Sequence, residues 1–152
     1  MDLDGFDRRI LGLLQADSSL TNAQLAEKVA LSPSQCSRRR LALEAAGLIL
    51  GYRAEVDGAK LGYVVEAFSR VTLAAHSETV VDDIAAFFGA QPEVRMAYTL
   101  TGDADYLLHL QVRSLDELAS FVHRRLLPHP MVAQVRSDIV LQRVGRPKGV
   151  PV

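Results

Sequence analysis

Through its first third the chain spaces its apolar residues three and four apart; after that, alternating stretches interleave with further helical ones. Leu3, Phe6, Ile10, Leu13 and Leu14 form one helical stripe. Asp4 and Asp7 stand near its start, where acids suit the helix dipole, and residues 15–19 end it. The second helix has clearer punctuation. Thr21 caps it, Gln24 completes a capping box, Leu20 and Leu25 form a hydrophobic staple, and Val29 continues the stripe. The third repeats the device with Ser32 as cap, Pro33 in the first position, Gln35 closing the box and Leu31 stapled to Cys36. Its stripe runs Cys36, Arg40, Leu43, and Gly47 ends it.

Leu48–Val56 reads as a short extended segment with Tyr52, Ala54 and Val56 on one side, and Asp57–Gly62 as a glycine-bearing hinge. From Tyr63 the order is strand, helix, strand, strand, helix, strand. Val64–Leu73 alternates Glu66, Arg70 and Thr72 with Val65, Ala67, Val71 and Leu73. Ser77 caps a helix carrying Val80, Val81, Ile84, Phe87 and Phe88 and ended by Gly89. Val94–Leu100 and Tyr106–Val112 alternate on either side of a turn at 101–105. Ser114 and Glu117 box a helix carrying Leu118, Phe121, Val122 and Leu126, stopped by Pro128 and Pro130. Gln134–Val144 is the last strand. The expected architecture is α+β: a helix-turn-helix domain over 1–50, an extended segment and hinge over 51–62, a ferredoxin-like βαββαβ domain over 63–144 and an unstructured tail over 145–152. Two helices cover one face of such a sheet. The other, of mixed polarity, is left for a second copy of the chain.

Composition narrows the function classes. Of 152 residues, 49% are hydrophobic and the net charge is only -1, which is a globular rather than a disordered balance. Residues 1–60 hold eight acidic and eight basic side chains and the remainder ten and nine, so neither part advertises nucleic acid by bulk charge. One cysteine excludes an internal disulfide framework and a multi-cysteine zinc site. His76, His109, His123 and His129 lack metal-ligand spacing, and no catalytic residue or metal site is expected. No apolar run approaches a membrane span of roughly 18–20 residues, and the acidic start Met1-Asp2-Leu3-Asp4 is unlike a signal peptide. A cytoplasmic location is the expectation.

Local placement is more informative. Three short helices with a tight second connection read as a helix-turn-helix whose third helix enters the major groove of double-stranded DNA. Small polar groups at its start, Ser32, Ser34, Gln35 and Ser37, leave room for the duplex, and Thr21 and Asn22 begin the preceding helix. Gln reads adenine and Arg reads guanine, each contact discriminating by roughly 1–3 kcal/mol. Arg38 lies one turn beyond Ser34, Arg39 follows it, and Arg53 after the helix is placed to touch backbone. The bland alternative is that Ser-Pro-x-Gln is only a helix start and the arginine run only a solvated face.

The joint pattern carries a resemblance. Leu3, Asp7, Ile10 and Leu11, then Leu25, Ala26 and Val29, then Leu31-Ser32-Pro33, Cys36 and Arg39, then Leu43-Glu44, Gly47, Ile49 and Gly51-Tyr52 look like the N-terminal half of the Lrp/AsnC feast/famine regulators. Thr101-Gly102-Asp103, Asp105, Tyr106, Leu107 and Leu108 resemble that family's effector-domain turn. The resemblance spans about residues 3–144. It implies transcription regulation, a dimerising ferredoxin-like domain, higher assembly of dimers and response to an amino acid, with no cofactor. It also departs in two places. Ala30 stands where the family commonly has Gly, which strains the turn if that position needs a positive φ. Arg40-Leu41 look exchanged, since an aliphatic packing residue is usual first. The stripe then predicts that the Arg40 stem packs with its guanidinium at the rim, and that Leu41 faces outward.

For the effector, Asp103 or Asp105 would accept from an ammonium, and the Gly102 N–H with the Thr101 hydroxyl would donate to a carboxylate. Tyr98 and Tyr106 would wall the side-chain pocket, with Ser137 and Asp138 as weaker candidates. A plain hairpin turn is the bland reading. The alternative functions are a dimeric α/β-barrel enzyme of the monooxygenase type, which leaves residues 1–56 without a task, and an effector-binding module that does not touch DNA.

Overall fold

The computed structural model describes residues 2–75, 78–145 and 147–152, and its contacts divide it into two compact units, 1–55 with 144–152 and 56–143. In the first unit, α1 (Gly5–Ala16), α2 (Asn22–Val29) and α3 (Pro33–Ala45) enclose a core of Ile10, Leu11, Leu14, Leu25, Ala26, Val29, Cys36 and Leu43. Burying each large aliphatic side chain contributes roughly 1.5–3 kcal/mol, so a core of this size is small and every member matters. The caps follow the sequence. Asp4, Thr21 and Ser32 each accept from the backbone N–H three residues on, and Asp7, Gln24 and Gln35 return the bond. At the end of α3, Gly47 takes φ 69°, and the Leu48 and Gly47 amides donate to Leu43 and Glu44 carbonyls at 3.0 Å, a Schellman closure.

The α1 stripe is rotated from its expected phase. Asp7, Ile10, Leu11 and Leu14 face inward, whereas Phe6 is exposed and Leu13 only half-buried. An acid therefore occupies a core-facing position, which requires a partner from another helix. The segment 48–56, expected to be extended, forms no strand: the Leu48 and Ile49 amides turn back onto the Leu43 carbonyl, and Leu50 is left 95% exposed. Residues 144–152 group with the helices, and the Gln15 carboxamide donates to the Val150 carbonyl at 3.0 Å.

The second unit carries β1 (Val65–Leu73), α4 (Glu78–Gly89), β2 (Val94–Thr99), β3 (Tyr106–Val112), α5 (Leu115–Phe121, continuing through a π turn over Val122–Leu126) and β4 (Val132–Ile139). The sheet order is β2-β3-β1-β4, all neighbours antiparallel, which is the ferredoxin-like arrangement. Before it, Asp57 accepts from the Ala59 and Lys60 amides and starts a single tight turn over Ala59–Leu61. Period-two alternation sends Ala67, Val71, Leu73, Tyr106, Leu108, Leu110 and Val112 to one face, where Ile84, Phe88, Leu118, Phe121 and Leu126 cover them. Glu66, Phe68, Arg70 and Thr72 point to the other, uncovered face. The expected cap Ser77 and the side chains of Val80 and Val81 lie outside the described residues.

Two strand-level details and one helix cap differ from the expected pattern. β4 stops at Ile139 rather than Val144, because β1 begins at Val65 and offers little backbone beyond the Val140–Glu66 bond of 2.8 Å. β2 is an edge strand, so Met96, Tyr98 and their neighbours stay exposed despite their alternation. Glu117 closes its box on the Arg113 amide at 2.6 Å, one residue before the Ser114 cap.

Candidate DNA-binding face and effector turn

The α2–α3 connection sets the first candidate site. Ala30 adopts φ 58° and ψ 48°, the left-handed conformation, so the strain expected at this position is present. This turn delivers the start of α3 to the surface, where Ser32, Ser34, Gln35 and Arg38 are exposed and Ser37 is half-buried. Several of these groups are already engaged. The Gln35 Oε1 accepts from the Ser32 amide at 2.9 Å, and the Ser32 and Ser34 hydroxyls lie 3.0 Å apart. Gln35 is thus left with its carboxamide NH2 to present, and reading adenine with both ends requires releasing the cap. Thr21 is likewise bound into its own box with Gln24. Asn22 turns inward: its Oδ1 is buried with no partner among the described residues.

The three arginines have separate environments. Arg38 is exposed and makes no hydrogen bond or ion pair among the described residues. Arg39, expected at the duplex, instead reaches α1, with Nη1 2.8 Å from Asp4 and 2.7 Å from Asp7 and the guanidinium 5.4 Å from the centre of the Phe6 ring. Asp7 and then Asp4 hold the Arg39 pKa above its ordinary value. The Asp7 backbone N–H, then Arg39, hold the Asp4 carboxyl below the usual range. Arg39 therefore partners the acid buried in the α1 stripe.

Arg40 packs as the stripe requires. Its Nε donates to the Tyr52 hydroxyl at 2.7 Å, its Nη1 donates to the Leu20 carbonyl at 3.2 Å, and its guanidinium lies 4.3 Å from the centre of the Tyr52 ring. The Tyr52 hydroxyl in turn donates to Glu44 at 2.6 Å. Burial and the Glu44 bond raise the Tyr52 pKa. Leu41 is 62% exposed, as expected. This latch fixes the segment after α3 to the helix and places exposed Arg53 one residue beyond it. The stripe position of Arg40 hinted at its packing; the partner, twelve residues away, had no local signal.

In the second unit the turn at 101–105 splits by role. Thr101, Gly102 and Asp103 are exposed, and Gly102 takes φ 140° with nothing within 4 Å of where a Cβ would stand. Asp105 is partly buried, and its carboxylate accepts from the Leu73 amide at 2.7 Å while its own amide donates to the Val71 carbonyl at 3.0 Å. It anchors the turn to β1. The two expected wall residues separate. Tyr98 stands opposite Leu107 on the open face, whereas Tyr106 is 4% exposed on the covered face, edge-on to Phe88 at 5.2 Å. Alternation on paired strands forbids them a common pocket. Burial raises the Tyr106 hydroxyl pKa.

Residues not singled out beforehand complete the surroundings of Asp103. Arg70, Thr72, Gln134 and Arg136 line a cleft of about 150 Å³ with Asp103 and Ala104. The register explains this gathering, since Arg70 faces Arg136 and Thr72 faces Gln134 across β1 and β4. Asp138 pairs with Arg70, and the Ser137 hydroxyl bonds buried Ser69 at 2.6 Å. His109 has a structural setting, stacked on Phe68 at 4.9 Å and 2.6 Å from Glu66. Arg143, then His109, hold the Glu66 pKa below its ordinary value.

A helix-turn-helix joined in one chain to a ferredoxin-like domain with an open polar turn defines a ligand-responsive DNA-binding regulator. Comparison with known proteins agrees. Residues 3–49 match the winged helix-turn-helix DNA-binding family, and residues 66–150 match the Lrp/AsnC ligand binding domain. A leucine-responsive regulatory protein of Rhizobium meliloti is 37% identical over 144 residues, covering 95% of this chain and 92% of its own. A glutamate uptake regulatory protein of Zymomonas mobilis is 43% identical over 115 residues, covering 76% of this chain and 70% of its own. The solved complex of a Neisseria meningitidis transcriptional regulator with L-methionine superposes with a TM-score of 0.94 at 36% identity, covering 99% of this chain and 97% of that one. The chain belongs to the Lrp/AsnC family and is a transcriptional regulator with a helix-turn-helix DNA-binding domain. Its relatives are regulators and not enzymes, which removes the monooxygenase-type alternative. Among the described residues no helix is long and apolar enough to cross a membrane.

Proposed function

We propose that this regulator reads duplex DNA with the exposed start of α3 and that an amino acid bound near the 101–105 turn alters that reading. The carrying observation is Arg38, exposed and unengaged beside Ser34 and Gln35 while its two neighbours are held within the protein. Ser32, Ser37, Thr21 and Arg53 flank it as positioning contacts to phosphate, and Asn22 and Arg39 act from behind the surface. Two copies of the chain associate through the uncovered sheet face, where Phe68, Met96 and Tyr98 mix with charged residues, and dimers assemble further. A second recognition helix then meets DNA about one helical turn away. The protein works in the cytoplasm. Asp103 accepts from the effector's ammonium, while Thr101 and Gly102 offer donors to its carboxylate. A differential affinity for two assembly states of about 1–3 kcal/mol is a usual coupling.

Genomic fragment selection followed by footprinting tests the first half: a protected, reproducible sequence is expected, and equal retention of random duplex refutes it. Asp103→Ala tests the second: operator binding by the unliganded protein persists and the amino-acid response disappears. Full-strength calorimetric binding of the natural amino acid to that variant refutes the site.

A further inference from the structure

We propose that residues 147–152 are a releasable strap. Docked on α1, they give the DNA-binding unit a second attachment to the rest of the chain; undocked, they leave it on the 53–56 passage alone. The proposal does not depend on where the effector binds. It starts from connectivity: the chain passes between the two units twice, once after Glu55 and once before Val144. The first passage is short because both its ends are held. Tyr52 is latched to Arg40 and Glu44. Beyond it the 57–62 turn lies close on β3, where a Cβ on Gly58 would stand 2.5 Å from the Gln111 Nε2. The second passage is short for the same reason. Arg143 Nε donates to Glu66 at 2.7 Å before the crossing, and the strap begins at Pro147, at most about 14 Å of extended chain further on.

The strap is fitted to α1. The Gln15 carboxamide donates to the Val150 carbonyl at 3.0 Å. Gly149 lies so close that an added Cβ would stand 2.1 Å from the Gln15 Oε1 and 2.9 Å from its Cβ, which the helix fixes in place. The Gly149 backbone is outside the left-handed region, so close approach to α1, and not a turn, calls for glycine here. Val150 and Val152, two apart in an extended segment, line a groove of about 590 Å³ with Leu11, Leu14 and Ile49. Pro147 and Pro151 fix two backbone angles, which lowers the freedom lost on docking. The hold is nonetheless slight. The hydrogen bond is exposed, and Val150 and Val152 stay 72% and 43% exposed. So small a contact forms because the chain keeps the strap within reach of α1, and it opens as readily. A unit held by two short passages reorients less than one held by a single passage, so docking of the strap sets how freely the recognition helix is presented.

Two substitutions in the full chain undock the strap from either side. Gly149→Ala adds only a Cβ, and Gln15→Glu keeps the size of the side chain while replacing its donor by an acceptor. Both positions are exposed, so the fold is expected to persist in each variant. Docking is read by trypsin, which cuts after Lys148 and releases residues 149–152. Release from Gln15→Glu, whose scissile bond is unaltered, is expected to be at least fivefold faster than from the wild type. The consequence is read by pulsed electron paramagnetic resonance with spin labels at Glu27→Cys and Asp116→Cys, exposed helix positions in the two units, in labelled chains diluted with unlabelled protein. The distance distribution is expected to be at least twice as broad in both undocking variants as in the parent. Equal release rates would show that the strap is not docked, and equal widths that its docking restrains nothing. Either result overturns the proposal.

Discussion

Replacing Arg39 by methionine separates a residue that builds the DNA-binding unit from one that touches DNA. The substitution keeps an unbranched stem of similar girth and removes the guanidinium. Asp7, only 5% exposed, then retains the Asp4 amide at 3.3 Å as its remaining partner. Breaking a buried ion pair costs about 3–5 kcal/mol, whereas an exposed pair contributes about 0–1. The Arg39 side chain is 25% exposed and that of Asp7 7%, which places the loss between those limits, at about 2 kcal/mol. Hydrogen exchange on the full chain reads this directly. Protection of the Ile10, Leu11 and Leu43 amides is expected to fall about 30-fold, since each 1.4 kcal/mol is tenfold.

Salt dependence of operator binding supplies the contrast. Each phosphate contact adds about 0.9 to the slope of log affinity against log salt. Arg38→Ala is expected to lower the slope by about that amount and leave amide protection intact. Arg39→Met is expected to do the reverse. A slope reduced by about 0.9 in Arg39→Met with protection unchanged would refute the internal assignment and move Arg39 onto the duplex.

Two further substitutions probe the same unit. Ala30→Gly relieves a left-handed conformation costing roughly 1–2 kcal/mol, against roughly 0.5–1 kcal/mol of extra freedom in the unfolded chain, for a net gain of about 0.7 kcal/mol. Exchange protection of α2 and α3 amides should rise about threefold, and any decrease contradicts the strain argument. Cys36 is fully buried, and burial pushes its thiol pKa up. Alkylation at pH 8 should be slow in the native protein and rapid in urea; fast native labelling would mean that α3 does not pack as described.

Local devices were readable because they are written within a few residues. Thr21 with Gln24, Ser32 with Gln35 and Gly47 after Leu43 each announce an end of a helix, and each is found there. Strand alternation was equally plain over Tyr106–Val112. What escaped depends on distant partners. The α1 phase looked as though Phe6 belonged inside, because Asp7 becomes acceptable in a core only once Arg39 arrives from 32 positions away. Tyr98 and Tyr106 look like companions along the chain, but the hairpin between them sends their rings to opposite faces. The Arg70–Arg136 juxtaposition exists only through the β1–β4 register.

The commitment of Arg39 and Arg40 to internal contacts bears on how such a protein can be regulated. A recognition helix with one unengaged arginine makes few phosphate contacts, and affinity that rests on counterion release scales with their number. A single copy would hold its site weakly at physiological salt. Linking two helices through the proposed dimer turns the second contact into an intramolecular event and multiplies affinity without any new side chain. Under that arrangement the spacing between copies governs occupancy more strongly than any one base contact does. A ligand needs only to favour one assembly geometry over another, and a turn at the edge of the sheet proposed to join the copies is a suitable place to apply such a bias. On that proposal the recognition surface can be sparse, with selectivity assigned to Ser34, Gln35 and Arg38 and strength to the number of copies bound together.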